Sequence, residues 1–271
     1  MAEAQAIAEG LFQRRQKRQR WERRGYFVTS FVLLMIVWEG CRASGLINPK
    51  LFPSIWAVLQ SAVAQLRDGS LQQHMYASFL RVLVSFSIGI GLAVVLGFLV
   101  GWFRSVRLLL DPVINFFRAL PPIALIPLMI IFFGIGETSK IIVLSYASFF
   151  PALVVIYQAL VSLDPIYIRA ARTLGATNME IFRKIILPQL VPHIITACRV
   201  SLGVCWATLV AAELIAAQRG IGAMMVEAQN FFQMPPLVLG IILIGIISLV
   251  MDAIVRAIEA HATKWQEKMS G

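Results

Sequence analysis

The sequence predicts an all-α membrane protein with six transmembrane helices, and two observations support this fold class. First, 59% of the 271 residues are hydrophobic, 14% are charged and the mean hydropathy is +0.78. Soluble domains run nearer about 45–50% apolar and about 25% charged. Second, six apolar windows of 16 to 27 residues follow one another, close to the length of about 20 helical residues that crosses a bilayer core. The composition therefore argues against an ordinary soluble enzyme.

The six windows follow one another along the chain. They are Tyr26–Cys41, Ala77–Trp102, Val113–Phe133, Lys140–Val161, Val191–Ala217 and Pro236–Ile258. We therefore predict a basic tail over residues 1–25, a transmembrane domain over 26–260 and a second tail over 261–271. Because a long basic stretch precedes the first window, an uncleaved anchor is favoured over a cleaved signal peptide.

The excess of Lys and Arg, which gives a formal net charge of +10, predicts the orientation of the helices. If the N-terminal tail is cytoplasmic, sixteen of the 24 basic residues fall on the cytoplasmic side and five on the outside. Loops on the cytoplasmic side of membrane proteins carry such an excess. We therefore expect both termini in the cytoplasm, and the charge needs no nucleic-acid partner to explain it.

Two loops are long, residues 43–75 outside and residues 162–189 inside. In the first, the apolar residues of Pro53–Leu66 share one helical face, which predicts an amphipathic helix. The second loop contains signals for two helices. The first helix has a cap at Asp164-Pro165 and a left-handed end at Gly175. The second has a capping box at Thr177–Glu180 and an interruption at Pro188. We predict two short helices joined at a glycine, a rigid protrusion that can transmit force from a soluble partner.

The same loop resembles the "EAA" loop of ABC importer permeases. The matching residues are Arg169-Ala170-Ala171, Gly175, Ile185, Leu187 and Pro188, all at the family's spacing. Arg169 departs from the pattern, which has Glu there. Three more stretches resemble the sulfonate, taurine, nitrate and bicarbonate branch, and the chain looks closest to taurine permeases. They are Ala119–Pro122 with Pro127, Phe133–Glu137 and Leu209–Ala217.

The resemblance implies a type I ABC importer permease fold and a non-catalytic subunit of an inner-membrane pump working by alternating access. Its expected partners are a second copy of this chain, an ATPase dimer, an extracytoplasmic solute-binding protein and membrane lipid. ATP and Mg²⁺ would bind the ATPase, since this chain has no G-x-x-x-x-G-K-[ST] phosphate loop. The resemblance assigns ATPase coupling to Arg169, Ala170, Ala171, Gly175, Ala176, Leu187 and Pro188.

Charged residues inside membrane spans are costly and often functional. Arg118 and Arg199 are candidates either for attracting an anionic solute or for anchoring to carbonyls of a neighbouring span. Glu213 suits a contact at a helix end or gate. The fifth span also carries Ser201, Trp206 and Thr208, which either line the route or pack against other helices. Arg81 lies close to the outer water interface, where its side chain can snorkel, and structural anchoring is its favoured role.

Other functions remain open at this point. A membrane enzyme would need a polar catalytic cluster, and a secondary transporter would show broken helices in two inverted halves. A non-transporting structural protein is a third alternative. The three His residues share no metal-ligand spacing, so we expect no metal site. Taurine or another sulfonate is the favoured solute, with nitrate, bicarbonate or a vitamin precursor as the alternative.

Overall fold

The computed structural model describes residues 25–26, 29–30, 32–42, 44 and 51–262, in two compact units over residues 1–61 and 62–271. Most of the predicted N-terminal tail and most of the predicted C-terminal tail lie outside the described residues. Within the described part of the chain the regular structure is helical, which confirms the all-α prediction. The boundaries of the predicted domains are otherwise untested.

In the first unit, the backbone is helical over residues 32–42, which overlaps the first predicted span and ends one residue beyond it. Trp38 packs on Phe52 with ring centroids 4.4 Å apart, and its indole nitrogen donates to the Pro53 carbonyl. Glu39 accepts a hydrogen bond from the amide of Ile55, where helix α1 (Ile55–Arg67) begins. The predicted amphipathic helix therefore forms, and a charge at the end of the first span has a helix-capping role.

The second unit is built from eight further helices in its described residues. They are α2 (Ser70–Trp102), α3 (Arg104–Ala119), α4 (Ile126–Phe133), α5 (Glu137–Val161), α6 (Pro165–Thr173), α7 (Asn178–Ala216), α8 (Ile221–Asn230) and α9 (Met234–Ala262). Among the described residues, α2, α5, α7 and α9 are each long and apolar enough to cross a membrane.

The third predicted span is not one helix, which corrects the prediction for Val113–Phe133. Helix α3 and the segment Pro122–Phe133 meet at an angle of 85°. The cause is local, because Pro121 and Pro122 offer no amide hydrogen and proline drives the preceding residue out of the helical region. Leu120 accordingly has an extended backbone with ψ of 122°.

Helices α2 and α5 nevertheless run parallel, so the bent pair between them returns the chain to the end of the bundle at which α2 begins. Gly97 of α2 lies against Ile156 of α5, and Gly101 lies against Leu160, four residues further along each helix. The absence of side chains at these two glycines lets the two helices approach closely, which is a common means of association inside membranes. Parallel helices joined in sequence require one crossing between them, so α3 and Pro122–Phe133 together supply it.

Helix α7 runs antiparallel to α2 and α5, and α9 runs antiparallel to α7. Arg199 of α7 meets Asp252 of α9, while Glu213 near the end of α7 meets Arg81 near the start of α2. The α2–α3 junction and the loop over 162–189 therefore share one end of the bundle. The α4–α5 and α7–α8 connections share the other end. This relative arrangement of loops agrees with the alternation predicted from the basic residues.

Candidate functional site

Short-range hydrogen bonds hold the shape of the loop over residues 162–189 (the 162–189 loop). Asp164 accepts from the Ile166 amide at 2.9 Å, so it caps α6 as predicted. At the other end of α6, the Gly175 amide donates to Arg172 and the Ala176 amide donates to Ala171, which is the Schellman pattern. Gly175 has φ of +80°, a left-handed conformation that a side chain would strain.

The start of α7 carries the predicted capping box. Thr177 accepts from the Glu180 amide through its hydroxyl, and the Glu180 carboxylate accepts from the Thr177 amide at 3.0 Å. Each residue thereby satisfies an amide that would otherwise lack a partner at the helix start. Both predicted caps and the predicted glycine turn are therefore present.

The expected interruption at Pro188 is a local one, because a π-helical turn breaks the regular α-helix there while α7 as a whole continues from Asn178 to Ala216 over 39 residues. Proline cannot donate its amide, and its ring crowds the carbonyl four residues earlier. The helix adapts by widening into a π-helical turn over Phe182–Ile186, just before the proline. The second element of the 162–189 loop is consequently continuous with a membrane-crossing helix.

The residues expected to couple to an ATPase differ in their accessibility. Arg169, Ala170 and Gly175 are exposed, Ala176 and Pro188 are half-buried, and Leu187 is 37% exposed. Ala171 is buried in an apolar cluster with Ile181, Ile186 and Leu190, so it seats α6 against the start of α7. These contacts bind the two helices into one unit and leave the arginine face open.

The 162–189 loop also exposes apolar side chains that the sequence interpretation did not single out. Leu174 is 88% exposed, and Met179, Ile166 and Tyr167 are each more than half exposed. Leu174 lies in the turn beside Gly175, outside any membrane-crossing apolar window. Exposed apolar clusters of this kind mark interaction surfaces. In the sequence, the available signal was that these apolar residues lie in a polar loop that offers no face on which they could be buried.

At the opposite end of α7 lies a group of interacting polar side chains, here the charge cluster, formed by Ser78, Arg81, Glu137, Lys140 and Glu213. The Arg81 guanidinium donates to both oxygens of Glu137, at 2.6 and 2.8 Å. It also donates to Glu213 and to the Arg219 carbonyl, each at 2.6 Å. Lys140 donates to Glu137 at 2.8 Å. Arg81 therefore has the predicted anchoring role, although its side chain is only 6% exposed and is held by carboxylates instead of snorkelling to water.

The Glu213 carboxylate occupies the start of α8. It accepts from the Gly222 amide at 2.8 Å, and Ser78 donates to both of its oxygens. The Ser78 oxygen accepts in turn from the Ile221 amide. A negative charge at a helix N-terminus is favourable because the unpaired amides point at it. The predicted helix-end contact of Glu213 is thus seen, with its side chain 1% exposed.

Glycine is required where the chain passes the charge cluster. Gly220 has φ of +137°, and a Cβ atom there would meet the side chains of Glu213 and Arg81. A Cβ atom on Gly222 would lie 2.6 Å from that of Glu213. The sequence interpretation did not identify Glu137 as a partner of Arg81, because that contact crosses between helices.

Arg199 lies in a second ionic network, near the middle of α7. It contacts Asp252 at 3.1 Å and Glu259 at 3.4 Å, and Arg256 also pairs with Asp252. Its partners are therefore carboxylates of α9 and not the carbonyls considered from the sequence. Two carboxylates offset the positive charge that would otherwise attract an anion.

The other candidates for a solute route are divided between surface and interior. Arg118 is exposed, whereas Ser201, Trp206 and Thr208 are at most 2% exposed in this chain. Thr208 donates to its own helix at Val204. Among the described residues, the Ser201 hydroxyl and the Trp206 indole nitrogen are buried without a hydrogen-bond partner. Across the same part of the chain, no group of three His, Cys, Asp or Glu residues is arranged to hold a metal.

Comparison with known proteins gives consistent relatives over most of the chain. A probable ABC transporter permease protein of Brucella abortus is 42% identical over 90% of this chain and 96% of that protein. The taurine transport system permease protein TauC of Escherichia coli is 36% identical over 88% of each chain. The putative aliphatic sulfonates transport permease protein SsuC of Bacillus subtilis is 29% identical over 88% of this chain and 87% of its own length.

Among solved structures, a chain of the MetNI methionine ABC transporter in inward-facing conformations aligns with a TM-score of 0.49 and 23% identity. It covers 75% of this chain and 96% of its own. The family model described as the binding-protein-dependent transport system inner membrane component matches residues 89–264. That match includes every helix from α3 to α9 completely, with the 162–189 loop at its centre. The chain therefore belongs to the binding-protein-dependent family of ABC transporter permeases, as a multi-pass membrane subunit.

Proposed function

We propose that this chain is the translocation subunit of an ATP-driven importer for a small anionic solute, with a sulfonate such as taurine as the first candidate. Relatives named for taurine and for aliphatic sulfonates support that solute class. A relative named as a nitrate import permease, at 27% identity, keeps inorganic anions as the alternative. Bicarbonate and vitamin precursors stay within the same alternative.

The single observation that carries the coupling role is the form of the 162–189 loop. Its two helices are capped at Asp164 and Thr177, and its second helix continues into a membrane-crossing helix. The turn between them presents Leu174, which is 88% exposed. In the proposal, a soluble ATPase dimer binds this apolar turn and the exposed Arg169 face. Movement of the docked ATPase then displaces α7 along its whole length.

The proposed cycle is alternating access in a homodimer of this chain. ATP closes the ATPase dimer, α6 and α7 move with it, and the pathway opens to the outside to receive solute from a binding protein. ATP hydrolysis returns the pathway to the cytoplasmic side. In this orientation the 162–189 loop and both termini are cytoplasmic, and the charge cluster lies at the outer end. ATP and Mg²⁺ bind only the ATPase.

The test is uptake into proteoliposomes that contain this chain and its ATPase, with the partner binding protein supplied outside. We expect uptake of radiolabelled taurine or ethanesulfonate that requires ATP, the ATPase and the binding protein together. Taurine uptake without the ATPase would contradict the proposal, as would a binding protein that selects compounds without an anionic group. Preference for nitrate over sulfonates would move the solute to the stated alternative.

A further inference from the structure

A cavity of about 580 Å³ opens beside the charge cluster, and three cationic side chains are among its lining residues. Arg81, Lys140 and Arg219 line it, and the carboxylate of Glu137 is its acidic member. Sites for small ligands have volumes of about 300–1,000 Å³ with a few convergent polar groups. The cavity therefore has the size and the charge to hold a small anion.

The arrangement around Glu137 is that of an oxyanion site filled by a side chain of the protein itself. Two nitrogens of Arg81 donate in parallel to the two oxygens of Glu137, and Lys140 donates to one of those oxygens. A planar guanidinium fork with a second cation suits any group that carries two adjacent anionic oxygens. Sulfonate and carboxylate groups have that chemistry.

The two carboxylates on Arg81 are not equivalent. Glu213 is 1% exposed and is also held by Ser78 and by the Gly222 amide. Glu137 is 57% exposed, and its side chain reaches the fork from the first turn of α5. If Glu137 leaves, Glu213 and the Arg219 carbonyl still fix the guanidinium in place. The fork would then remain in position for another anion.

Departure of Glu137 alone is unfavourable. Arg81 and Lys140 are 6% and 5% exposed, and a buried cation without a partner is strongly destabilising. Glu137 can therefore leave readily only when a second anion takes its place. At this site a free oxyanion therefore replaces a tethered carboxylate.

We propose that Arg81 and Lys140 form an oxyanion subsite, which Glu137 occupies in this structure and which the sulfonate of an incoming solute takes by displacing Glu137. The inference rests on the proposed function and identifies where the anionic group of the solute is first held. In the proposed orientation, the subsite lies at the outer end of the permease, where a binding protein delivers solute. No covalent step is involved.

The test measures binding of ethanesulfonate to the purified permease–ATPase complex in phosphatidylcholine nanodiscs, without nucleotide. Removal of the tethered competitor in Glu137→Ala should tighten binding at least tenfold over the wild type, because a side chain at the site competes at a high effective concentration. Glu137→Gln, which retains size, should change binding in the same direction. Glu227→Ala removes an exposed carboxylate from another helix and should leave binding unchanged.

The anion should also stabilise the variant. We expect ethanesulfonate to raise the melting temperature of Glu137→Ala more than that of the wild type, and ethyl methyl sulfone, which is uncharged, to have no effect. In a Glu137→Ala Lys140→Gln double variant, the gain in binding should be largely lost. The same comparison in phosphatidylglycerol nanodiscs distinguishes a free solute from a lipid phosphate, which would compete there.

Equal ethanesulfonate affinity and equal thermal shifts in the wild type and in Glu137→Ala would overturn the subsite. If Glu137→Ala binds ethanesulfonate more tightly than the wild type in phosphatidylcholine nanodiscs but not in phosphatidylglycerol nanodiscs, the fork is assigned to a lipid headgroup. That result would also overturn the subsite. The proposed function is judged separately by ATP-driven uptake of taurine through the wild type. Uptake that proceeds while Glu137→Ala binds like the wild type would reject the subsite and leave the permease function intact.

Discussion

The 162–189 loop and the charge cluster lie at opposite ends of α7, and different kinds of contact hold them. In the loop, the caps join residues two or three positions apart, such as Asp164 with Ile166. In the charge cluster, Arg81 pairs with Glu137 and Glu213, which are 56 and 132 positions away. The first structure is local and exposed, whereas the second is long-range and buried. The loop is built to be contacted from outside, and the cluster ties four helices and the α7–α8 connection together.

This difference predicts unequal costs when an ionic contact is broken. A buried charge left without its partner costs about 3–5 kcal/mol, while an exposed ion pair is worth about 0–1 kcal/mol. Variants at the two ends of α7 therefore provide matched tests, taken here from the largest expected effect to the smallest.

Glu213→Leu should have the largest effect on folding. It leaves the guanidinium of Arg81 buried with one carboxylate and removes the acceptor of the Gly222 amide. We expect the free energy of unfolding to fall by about 3–5 kcal/mol, measured by chemical denaturation in detergent micelles. The matched control is Lys184→Ala, which breaks an exposed pair with Glu180 and should cost less than about 1 kcal/mol. Similar losses in the two variants would contradict the contrast.

Leu174→Asp should change a partner contact without changing the fold. The side chain is 88% exposed in the turn of the 162–189 loop. Placing a charge in an apolar interface should weaken association with the ATPase about tenfold, equal to about 1.4 kcal/mol. The measurement is the affinity of the ATPase for the permease in nanodiscs. Leu174→Met keeps the apolar volume and should bind normally, and normal binding by the Asp variant would remove this turn from the interface.

Thr177→Ala should have the smallest effect, and a local one. Loss of the hydroxyl that accepts the Glu180 amide removes an N-cap worth about 0.5–2 kcal/mol. We expect faster amide hydrogen exchange at the start of α7, over residues 178–181, and an unchanged unfolding midpoint for the whole protein. Thr177→Ser, which retains the hydroxyl, is the control. Unchanged exchange in the Ala variant would show that the capping box does not hold the loop.

The parts of the molecule predictable from the sequence are those set by neighbouring residues. Asp164, Gly175 and Thr177 act through the backbone within a few positions, so their caps and turn could be predicted and are found. The same holds for the apolar windows, whose length alone marks most of the membrane-crossing helices.

The parts that could not be predicted depend on which helices become neighbours. A charge in an apolar window shows that a partner is needed but not which residue supplies it, and so the carboxylates that anchor Arg81 could not be predicted. Proline effects were difficult for a related reason. Pro121 and Pro122 bend the third span, whereas Pro188 is accommodated by a π-helical turn inside α7. The outcome at each proline depends on packing that only the fold supplies.

The exposure of the coupling candidates shows the same limit. The family resemblance places Arg169, Ala170 and Ala171 in one motif, but the fold separates them, with the first two exposed and Ala171 buried against α7. A motif read along the chain cannot distinguish residues that touch a partner from residues that support them. The packing of α6 on α7 makes that distinction.

The central claim is that the 162–189 loop transmits ATPase movement to α7, and Gly175→Pro tests it most directly. Proline cannot adopt φ of +80° and removes the amide that donates to Arg172. The size-exclusion profile of the Gly175→Pro variant in detergent checks that it inserts. The milder control is Gly175→Ala, which keeps the amide. In proteoliposomes with the ATPase and binding protein, we predict that Gly175→Pro loses ATP-driven taurine uptake while ATP hydrolysis continues. Uptake at the wild-type rate for each ATP hydrolysed would contradict the claim.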